Sequence, residues 1–305
     1  NFMKKKIILI SGPTASGKSS LASSLAKKID GEIINTDSIQ IYRDLQILTA
    51  RPQPTKSDPI HHLYGFLSGD KLWSVGKWIC EAKKISDQIL NKKKIPILVG
   101  GTGLYFKAIT DGLSPIPEIQ ISVRKKLIEK LNKIGIEKIY EELKKIDKTA
   151  YNVINKNDQQ RILRAIEVFQ GTGVKISDYW KKDRIKVFDN NFMKVKLSCE
   201  REALYKNCDD RCEEMFLKGA VEEVIFLNQK KYNDSAPIFN AIGVREINDF
   251  LLKKVNIEEA KRLIKYRTHQ YAKRQITWIN NQMVSWKSFS TQESDKIIEY
   301  FIKKL

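Results

Sequence analysis

Ile7-Ile8-Leu9-Ile10-Ser11-Gly12-Pro13-Thr14-Ala15-Ser16-Gly17-Lys18-Ser19 is the segment that sets the architecture of this chain. A short apolar run leads directly into G-x-x-x-x-G-K-[ST], the phosphate-binding loop, and Leu21-Ala22-Ser23-Ser24-Leu25-Ala26 follows as the start of a helix. In that strand–loop–helix order the backbone N–H groups surround a phosphate chain. Lys18 adds a point charge, and the Ser19 hydroxyl is placed to ligate Mg²⁺. Gly12 and Gly17 let the backbone turn and come close to the ligand, and the helix directs its positive end at the same anion. Gly12, Pro13, Thr14, Ala15, Ser16, Gly17, Lys18 and Ser19 are therefore the expected contacts of a di- or triphosphate, without saying which one.

Working outward, Glu32-Ile33-Ile34-Asn35 reads as a second strand ending at Asp37, residues 75–91 as a helix, and Ile95-Pro96-Ile97-Leu98-Val99 as a strand entering Gly100-Gly101-Thr102-Gly103. Strands alternating with helices predict a parallel sheet covered by helices, with ligands bound beyond the carboxyl ends of the strands. The phosphate loop, Asp37 and Gly100–Gly103 all fall at such ends, so three segments are expected to converge. Pro115 and Pro117 mark a boundary, after which residues 123–169 read as helical until Gly171-Thr172-Gly173 breaks the pattern. Val195-Lys196-Leu197 returns to the sheet, and from Glu202 onward the chain reads as mostly helical. The expected fold class is α/β: a P-loop NTPase-like core with a parallel sheet flanked by helices (residues 1–116 and 186–305) and an inserted all-helical domain (residues 117–185).

The chain has 305 residues, 42% of them hydrophobic, enough for a sizeable core, and no apolar run approaches a membrane span. Lys4-Lys5-Lys6 before Ile7–Ile10 imitates a signal peptide, but the apolar run is too short and the phosphate loop follows at once, so a cytoplasmic protein is expected. The net charge of +19 suggests an anionic partner, nucleic acid first. With 43 Lys to 12 Arg and abundant Ile and Asn, coding bias offers a second explanation. Cys80, Cys199, Cys208 and Cys212 contain no C-x-x-C pair, and His61, His62 and His269 complete no zinc spacing, so reduced thiols are expected. No heptad or exposed apolar stripe calls for an oligomer, and a monomer is expected.

Asp37-Ser38-Ile39-Gln40-Ile41-Tyr42 offers a carboxylate that suits a water-bridged metal or a general base, and equally a helix N-cap. Gly100-Gly101-Thr102-Gly103-Leu104-Tyr105 closes the third strand without the Walker-B carboxylate of an ordinary ATPase, although Thr102 brings a hydroxyl to a ligand. Arg161 and Arg164 share a helical face fit for a phosphate clamp, a lid, an RNA contact or plain solvent. Arg211 can reach a diphosphate or serve as a surface ion-pair partner. Arg267, Tyr271, Arg274 and Trp278 follow i, i+4, i+7, i+11 on one helix face, which suits phosphate neutralisation and base stacking, or an aromatic core.

Taken together these segments resemble the tRNA dimethylallyltransferase family. The resemblance runs through Gly12–Ser19, Asp37-Ser38-x-Gln40-x-Tyr42, Thr49-Ala50-Arg51-Pro52, Gly100–Tyr105, Gln160-Arg161-x-x-Arg164-Ala165-x-Glu167, Ala241-Ile242-Gly243 and Tyr271-Ala272-Lys273-Arg274-Gln275-x-Thr277-Trp278, in family order. It implies transfer of a dimethylallyl group from dimethylallyl diphosphate to N6 of the adenosine 3′-adjacent to the anticodon of a tRNA, with release of diphosphate. Asp37 is then the general base, Thr102 the second catalytic residue, and Arg211 a diphosphate ligand beside the phosphate loop, with Mg²⁺ at Ser19. The anticodon stem-loop would contact Asp37, Ser38, Ile39, Gln40, Thr102 and Arg124. It would also contact Gln160, Arg161, Ile162, Leu163 and Arg164; Asn240, Ala241, Ile242, Gly243, Val244 and Arg245; and Lys273, Arg274, Gln275, Ile276, Thr277, Trp278, Ile279 and Asn280. The helical insertion resembles the family's mobile domain that closes over the RNA.

Two departures stand out. The family's Ala-Ile-Gly-Tyr-Lys-Glu reads Ala241-Ile242-Gly243-Val244-Arg245-Glu246 here, and its Thr-Trp-Phe-Arg reads Thr277-Trp278-Ile279-Asn280, so an aromatic and a basic residue are missing at 279–280. The competing reading is a small-molecule or nucleotide kinase, with the same ATP-binding loop and Arg161 and Arg164 as lid arginines.

Overall fold

A computed structural model describes residues 6–305. The described residues divide into two compact units, residues 6–110 with 187–305, and Asp111–Lys186. In the first, β1 (Lys6–Ser11) enters the phosphate loop and α1 (Lys18–Ile29), followed by β2 (Gly31–Asn35), the two-residue β3 (His61–His62), α2 (Val75–Asn91), β4 (Ile95–Gly100) and α3 (Gly103–Asp111). The second unit holds α4 (Ile121–Ile146), α5 (Lys148–Val153), α6 (Gln159–Thr172) and α7 (Ile176–Trp180). The chain then returns through β5 (Asn191–Ser198) to α8 (Arg201–Leu217), α9 (Ala220–Gln229), α10 (Val244–Leu251), α11 (Ile257–Gln282), β6 (Lys287–Ser290) and α12 (Ser294–Lys304).

All pairings in the sheet are parallel, in the order β3-β2-β4-β1-β5-β6. This is why β1 is apolar on both faces: Ile7 to Ile10 are completely buried. Ile8, Ile10, Ile33, Ile97 and Val195 pack with Leu21, Leu25, Ile297 and Phe301 of α1 and α12. A second cluster joins Ile41, Leu45 and Leu48 to Val224, Ile238, Val244 and Ile264. The expected strands are present with ends shifted by one or a few residues. β3 and β6 were not anticipated. Two residues are too few for an alternation signal, and Lys287-Ser288-Phe289-Ser290 has one large apolar residue in a stretch that reads as helical.

The helical unit has its own core of Leu127, Ile139, Leu143, Ile162, Leu163, Ile166 and Val168. Asp147 organises it: one carboxylate oxygen caps α5 through the Ala150 N–H at 3.0 Å, and the other accepts the Ser177 N–H at 3.0 Å. Burial pushes this carboxyl up, but the two backbone N–H groups and the Ser177 hydroxyl overcome it and hold it below the usual carboxylate range. Among the described residues no helix is long and apolar enough to cross a membrane, and the four cysteines are free thiols.

Candidate functional site

Because β1 and β4 are neighbours and β2 flanks β4, the three glycine- or acid-bearing strand ends meet. Gly12 N–H bonds Gly100 O at 3.3 Å, and Thr36 bridges β2 and β4, taking Val99 O at 2.9 Å and giving its own carbonyl to the Thr102 N–H at 3.1 Å. The phosphate loop turns through left-handed backbone at Ala15 (φ 58°) and Gly17 (φ 76°), and α1 starts with no acidic residue in its first turn. A Cβ on Gly12 would sit 2.8 Å from Ser16 Oγ and 3.1 Å from Leu197 Cβ, so only glycine fits without displacement.

Lys18 Nζ donates to Pro13 O across the loop at 3.0 Å. Desolvation lowers its pKa from 10.5 to about 8, partly opposed by Asp37 and reinforced by Arg211. Arg211, on α8, donates through Nη2 to Thr14 Oγ1 at 2.6 Å, and burial pulls its pKa down as well. Lysine and arginine therefore converge on the loop as desolvated cations, an arrangement that favours a multiply charged anion. Between about pH 8 and 10.5 the folded chain holds fewer protons than the unfolded one, so Lys18 makes the stability of the unliganded fold rise with pH there. Affinity for a non-reacting alkyl diphosphate, whose last ionisation lies near pH 6, is expected to fall about tenfold per pH unit above about pH 8. Lys18→Met is expected to bind weakly with a flat profile, and calorimetric titration at several pH values reads both.

Asp37 stands on the loop after β2. Asn35 holds that loop: its Nδ2 donates to Asp37 O and Leu63 O, both at 2.9 Å, and its Oδ1 accepts the Asp37 N–H at 2.8 Å. Asp37 Oδ1 accepts the Ile39 N–H at 3.0 Å, an Asx turn, which leaves Oδ2 without a described partner. The next residue links the two sequence candidates, since the Ser38 N–H donates to Thr102 Oγ1 at 3.0 Å. Burial raises the phenols of Tyr64, Tyr105 and Tyr271, and the charge of Asp37 adds to each, so three neutral tyrosines surround this carboxylate. Tyr64 had no sequence signal as a site residue, and Tyr271 had one only as a base-stacking candidate, because chain positions far from the phosphate loop approach it only in the fold.

Gln275 has a structural role beside the expected RNA contact. It is 6% exposed, its Oε1 accepts the Thr14 N–H at 2.8 Å, and its Nε2 donates to Gly101 O at 3.1 Å. Its amide splints the phosphate loop to the end of β4, using one of its two N–H donors and one of its two acceptor lone pairs. Trp278 packs its indole on Gly103, where a Cβ would lie 2.0 Å from Nε1, and that N–H is buried without a partner. Arg267 is ion-paired with the buried Glu246, and Arg274 lies 5.9 Å from the Tyr271 ring. The aromatic stripe of α11 therefore serves the core and the site, while Lys273, Arg274, Thr277 and Asn280 remain exposed and Ile276 is half-buried. Ile279 is buried, which accounts for an apolar residue there.

Ala241 and Val244 are buried, whereas Asn240 and Arg245 are exposed and Ile242 half-buried. Gly243 adopts φ 104° and is tied by its N–H to Glu246 Oε2 at 2.9 Å. In the helical unit, Ile162 and Leu163 are core side chains, while Gln160 and Arg161 are exposed. Glu167 holds two guanidinium groups, Arg164 at 3.0 Å and Arg124 at 3.5 Å.

Fold and site define a phosphate-loop protein of the α/β class, with a carboxylate set against a cationic anion cradle. The IPP transferase family model matches residues 40–282. The chain is 41% identical over 303 residues, 99% of its length and 96% of the relative's, to the tRNA dimethylallyltransferase of Pelagibacter ubique. It is 42% identical over 280 residues to that of Bartonella henselae, covering 91% of this chain and 96% of the relative. Among solved structures, it is similar to the full-length tRNA isopentenylpyrophosphate transferase from Bacillus halodurans (TM-score 0.70, 30% identity, 99% of this chain and 97% of that one). It is also similar to a eukaryotic dimethylallyltransferase acting on tRNA (TM-score 0.78, 29% identity, 94% and 74%). The chain belongs to the IPP transferase family.

Proposed function

We propose that this protein transfers a dimethylallyl group from dimethylallyl diphosphate to N6 of the adenosine 3′-adjacent to the anticodon of a tRNA, giving N6-dimethylallyladenosine and diphosphate. Membership of the family makes the chain a prenyltransferase acting on tRNA and disfavours the kinase reading. The observation that supports the finer reading is that the Ser38–Thr102 and Gly12–Gly100 bonds bring the Asp37 loop and the end of β4 to the phosphate loop, where the Asp37 charge acts on Lys18 and Arg211.

The adenine amine is a poor nucleophile because its lone pair is delocalised into the ring. In the proposed step that lone pair forms the N–C bond, the carbon–oxygen bond breaks, and its electron pair leaves on the diphosphate oxygen. Asp37 takes the proton shed by nitrogen. Charge developing on the leaving oxygen is met by the loop amides, Lys18, Arg211 and the Thr102 hydroxyl. The target base has to swing out of its loop, which costs least where it is already unpaired. Arg124 and Arg164, spaced by Glu167, and the exposed Gln160, Arg161, Asn240, Arg245, Lys273, Arg274, Thr277 and Asn280 are proposed RNA contacts.

The residues present fit Mg²⁺ brought in with the diphosphate. The Ser19 hydroxyl lies in the first turn of α1 without a described partner, and among the described residues no cluster of three His, Cys, Asp or Glu offers a protein-built cage. Bound there, Mg²⁺ would neutralise charge on the leaving diphosphate.

The deciding experiment is mass spectrometry of an anticodon stem-loop with consecutive adenosines after incubation with dimethylallyl diphosphate and Mg²⁺. Gain of one C5 unit is expected. An unchanged mass, together with phosphate transfer from ATP to a small acceptor, would overturn the proposal.

A further inference from the structure

His269 completes no metal spacing, yet it has a fixed place between two helices that both grip the phosphate loop. α8 and α11 meet at one residue of that loop. Arg211 Nη2 donates to Thr14 Oγ1 at 2.6 Å, and the Thr14 N–H donates to Gln275 Oε1 at 2.8 Å. The placement of one helix against the other therefore sets where the Arg211 guanidinium stands.

Along the seam, Tyr205, Asp209 and Glu213 of α8 are four residues apart and form one row, as do Lys261, Lys265 and His269 of α11. The rows run antiparallel. At one end Glu213 takes Lys261 at 2.9 Å and Lys265 at 2.6 Å. At the other, His269 Nε2 donates to Asp209 Oδ1 at 2.7 Å, and the imidazole lies flat on the Tyr205 ring, with centroids 4.2 Å apart and planes within 5°. A carboxylate only accepts, so Nε2 carries the hydrogen.

The core beneath α8 sets its roll poorly. The buried residues of the helix are Leu204, Cys208, Cys212 and Met215, mostly small or adaptable side chains. Arg211 follows Asp209 by two residues, about 200° around the helix, and so leaves α8 on the side away from the seam. A roll of about 10° moves a group about 6 Å from the helix axis by about 1 Å, enough to break the bond to Thr14. The Asp209 and His269 side chains are 38% and 24% exposed, so their pairing adds little to stability and acts on direction instead.

Resting on the proposed active site, in which Arg211 meets the diphosphate, we propose that His269 and Asp209 are positioning residues for Arg211. The Tyr205 ring is the platform that keeps the imidazole in plane. The stacked, hydrogen-bonded ring fixes the roll of α8 on α11, and the fixed roll holds the guanidinium over the phosphate loop.

The test is a double-mutant cycle read by calorimetric titration of the full chain with a non-reacting alkyl diphosphate. Arg211→Gln is expected to weaken binding at least about tenfold, and His269→Ala about three- to tenfold. In the Arg211→Gln background, His269→Ala is expected to cost less than about twofold, because the group it positions is gone. His269→Arg, a planar cation that keeps both the ion pair and the stack, is expected to bind within about twofold of wild type. A partly unfolded preparation lowers the binding stoichiometry and leaves the dissociation constant of the folded fraction unmoved. If His269→Ala does not fold, His269→Gln takes its place in the cycle, with a loss of about threefold expected. An equal loss in both backgrounds, wild-type affinity in the folded His269 variant, or His269→Arg as weak as alanine overturns the assignment. Wild-type affinity in Arg211→Gln instead removes the active-site reading, and the assignment with it.

Discussion

Asp37→Ala is expected to lower the rate of prenyl transfer by about 10²–10⁴-fold while alkyl diphosphate binding survives. Asp37 is the carboxylate whose charge acts on both Lys18 and Arg211. The substitution removes a base and an Asx-turn acceptor, but the loop has other anchors in the three Asn35 bonds and the Ser38–Thr102 contact. Asp37→Asn separates the two roles: it keeps an oxygen for the Ile39 N–H and loses the base, and it is expected to be as inactive as the alanine variant. Because Asp37 supports the charge on Lys18, either variant should also move the fall in diphosphate affinity to lower pH. Single-turnover transfer measured beside equilibrium binding of a non-reacting alkyl diphosphate reads both effects. Near-normal turnover in either variant would remove Asp37 as the general base.

Gly100→Ala is expected to be the most damaging single-methyl change near the site. A Cβ at 100 would lie 2.4 Å from the carbonyl carbon, the oxygen and Oγ1 of Thr36, and Thr36 is fully buried. These atoms belong mainly to backbone already bonded to Val99 O and to the Thr102 N–H, so no flexible side-chain end can move aside. Relief requires β4 and the segment after β2 to separate, which pulls Thr102 away from Ser38 and Asp37. Overpacking of this kind costs about 3 kcal/mol, and displacement of a catalytic group by about 1 Å costs on the order of 10²-fold in rate. A urea melt and a transfer assay on the same preparation check both. Wild-type stability with wild-type rate would show that the strand ends are not in the contact described.

The legible part of the fold and the opaque part follow from the range of the interactions that produce them. Gly12–Ser19 is a local instruction: the glycines, the lysine and the following helix act within eight residues, so the loop is readable wherever it occurs. Ile7–Ile10 and Ile95–Val99 announce buried parallel strands by being apolar on both faces. β3 and β6 carry no such pattern, because they are edge strands held by register with β2 and β5. At the site, Asp37 and Thr102 stood out as polar groups at strand ends. Gln275 stood out only as part of a run of RNA-contact positions, and its use as a splint depends on α11 crossing the phosphate loop 261 residues earlier in the chain.

Short segments of the sequence were enough to point to a phosphate-binding loop at the end of a parallel strand, to show no Walker-B acid after the third predicted strand, and to carry the resemblance to prenyl transfer to tRNA. These are properties of short segments whose backbone conformation and charge are set by near neighbours. The packing of distant segments decided that Lys18 and Arg211 are desolvated beside the same carboxylate, that Trp278 packs on Gly103, and that Gln275 ties the phosphate loop to the end of β4. Desolvation and the direction of a hydrogen bond depend on what the rest of the chain packs against a group, and no local stretch of sequence carries that information.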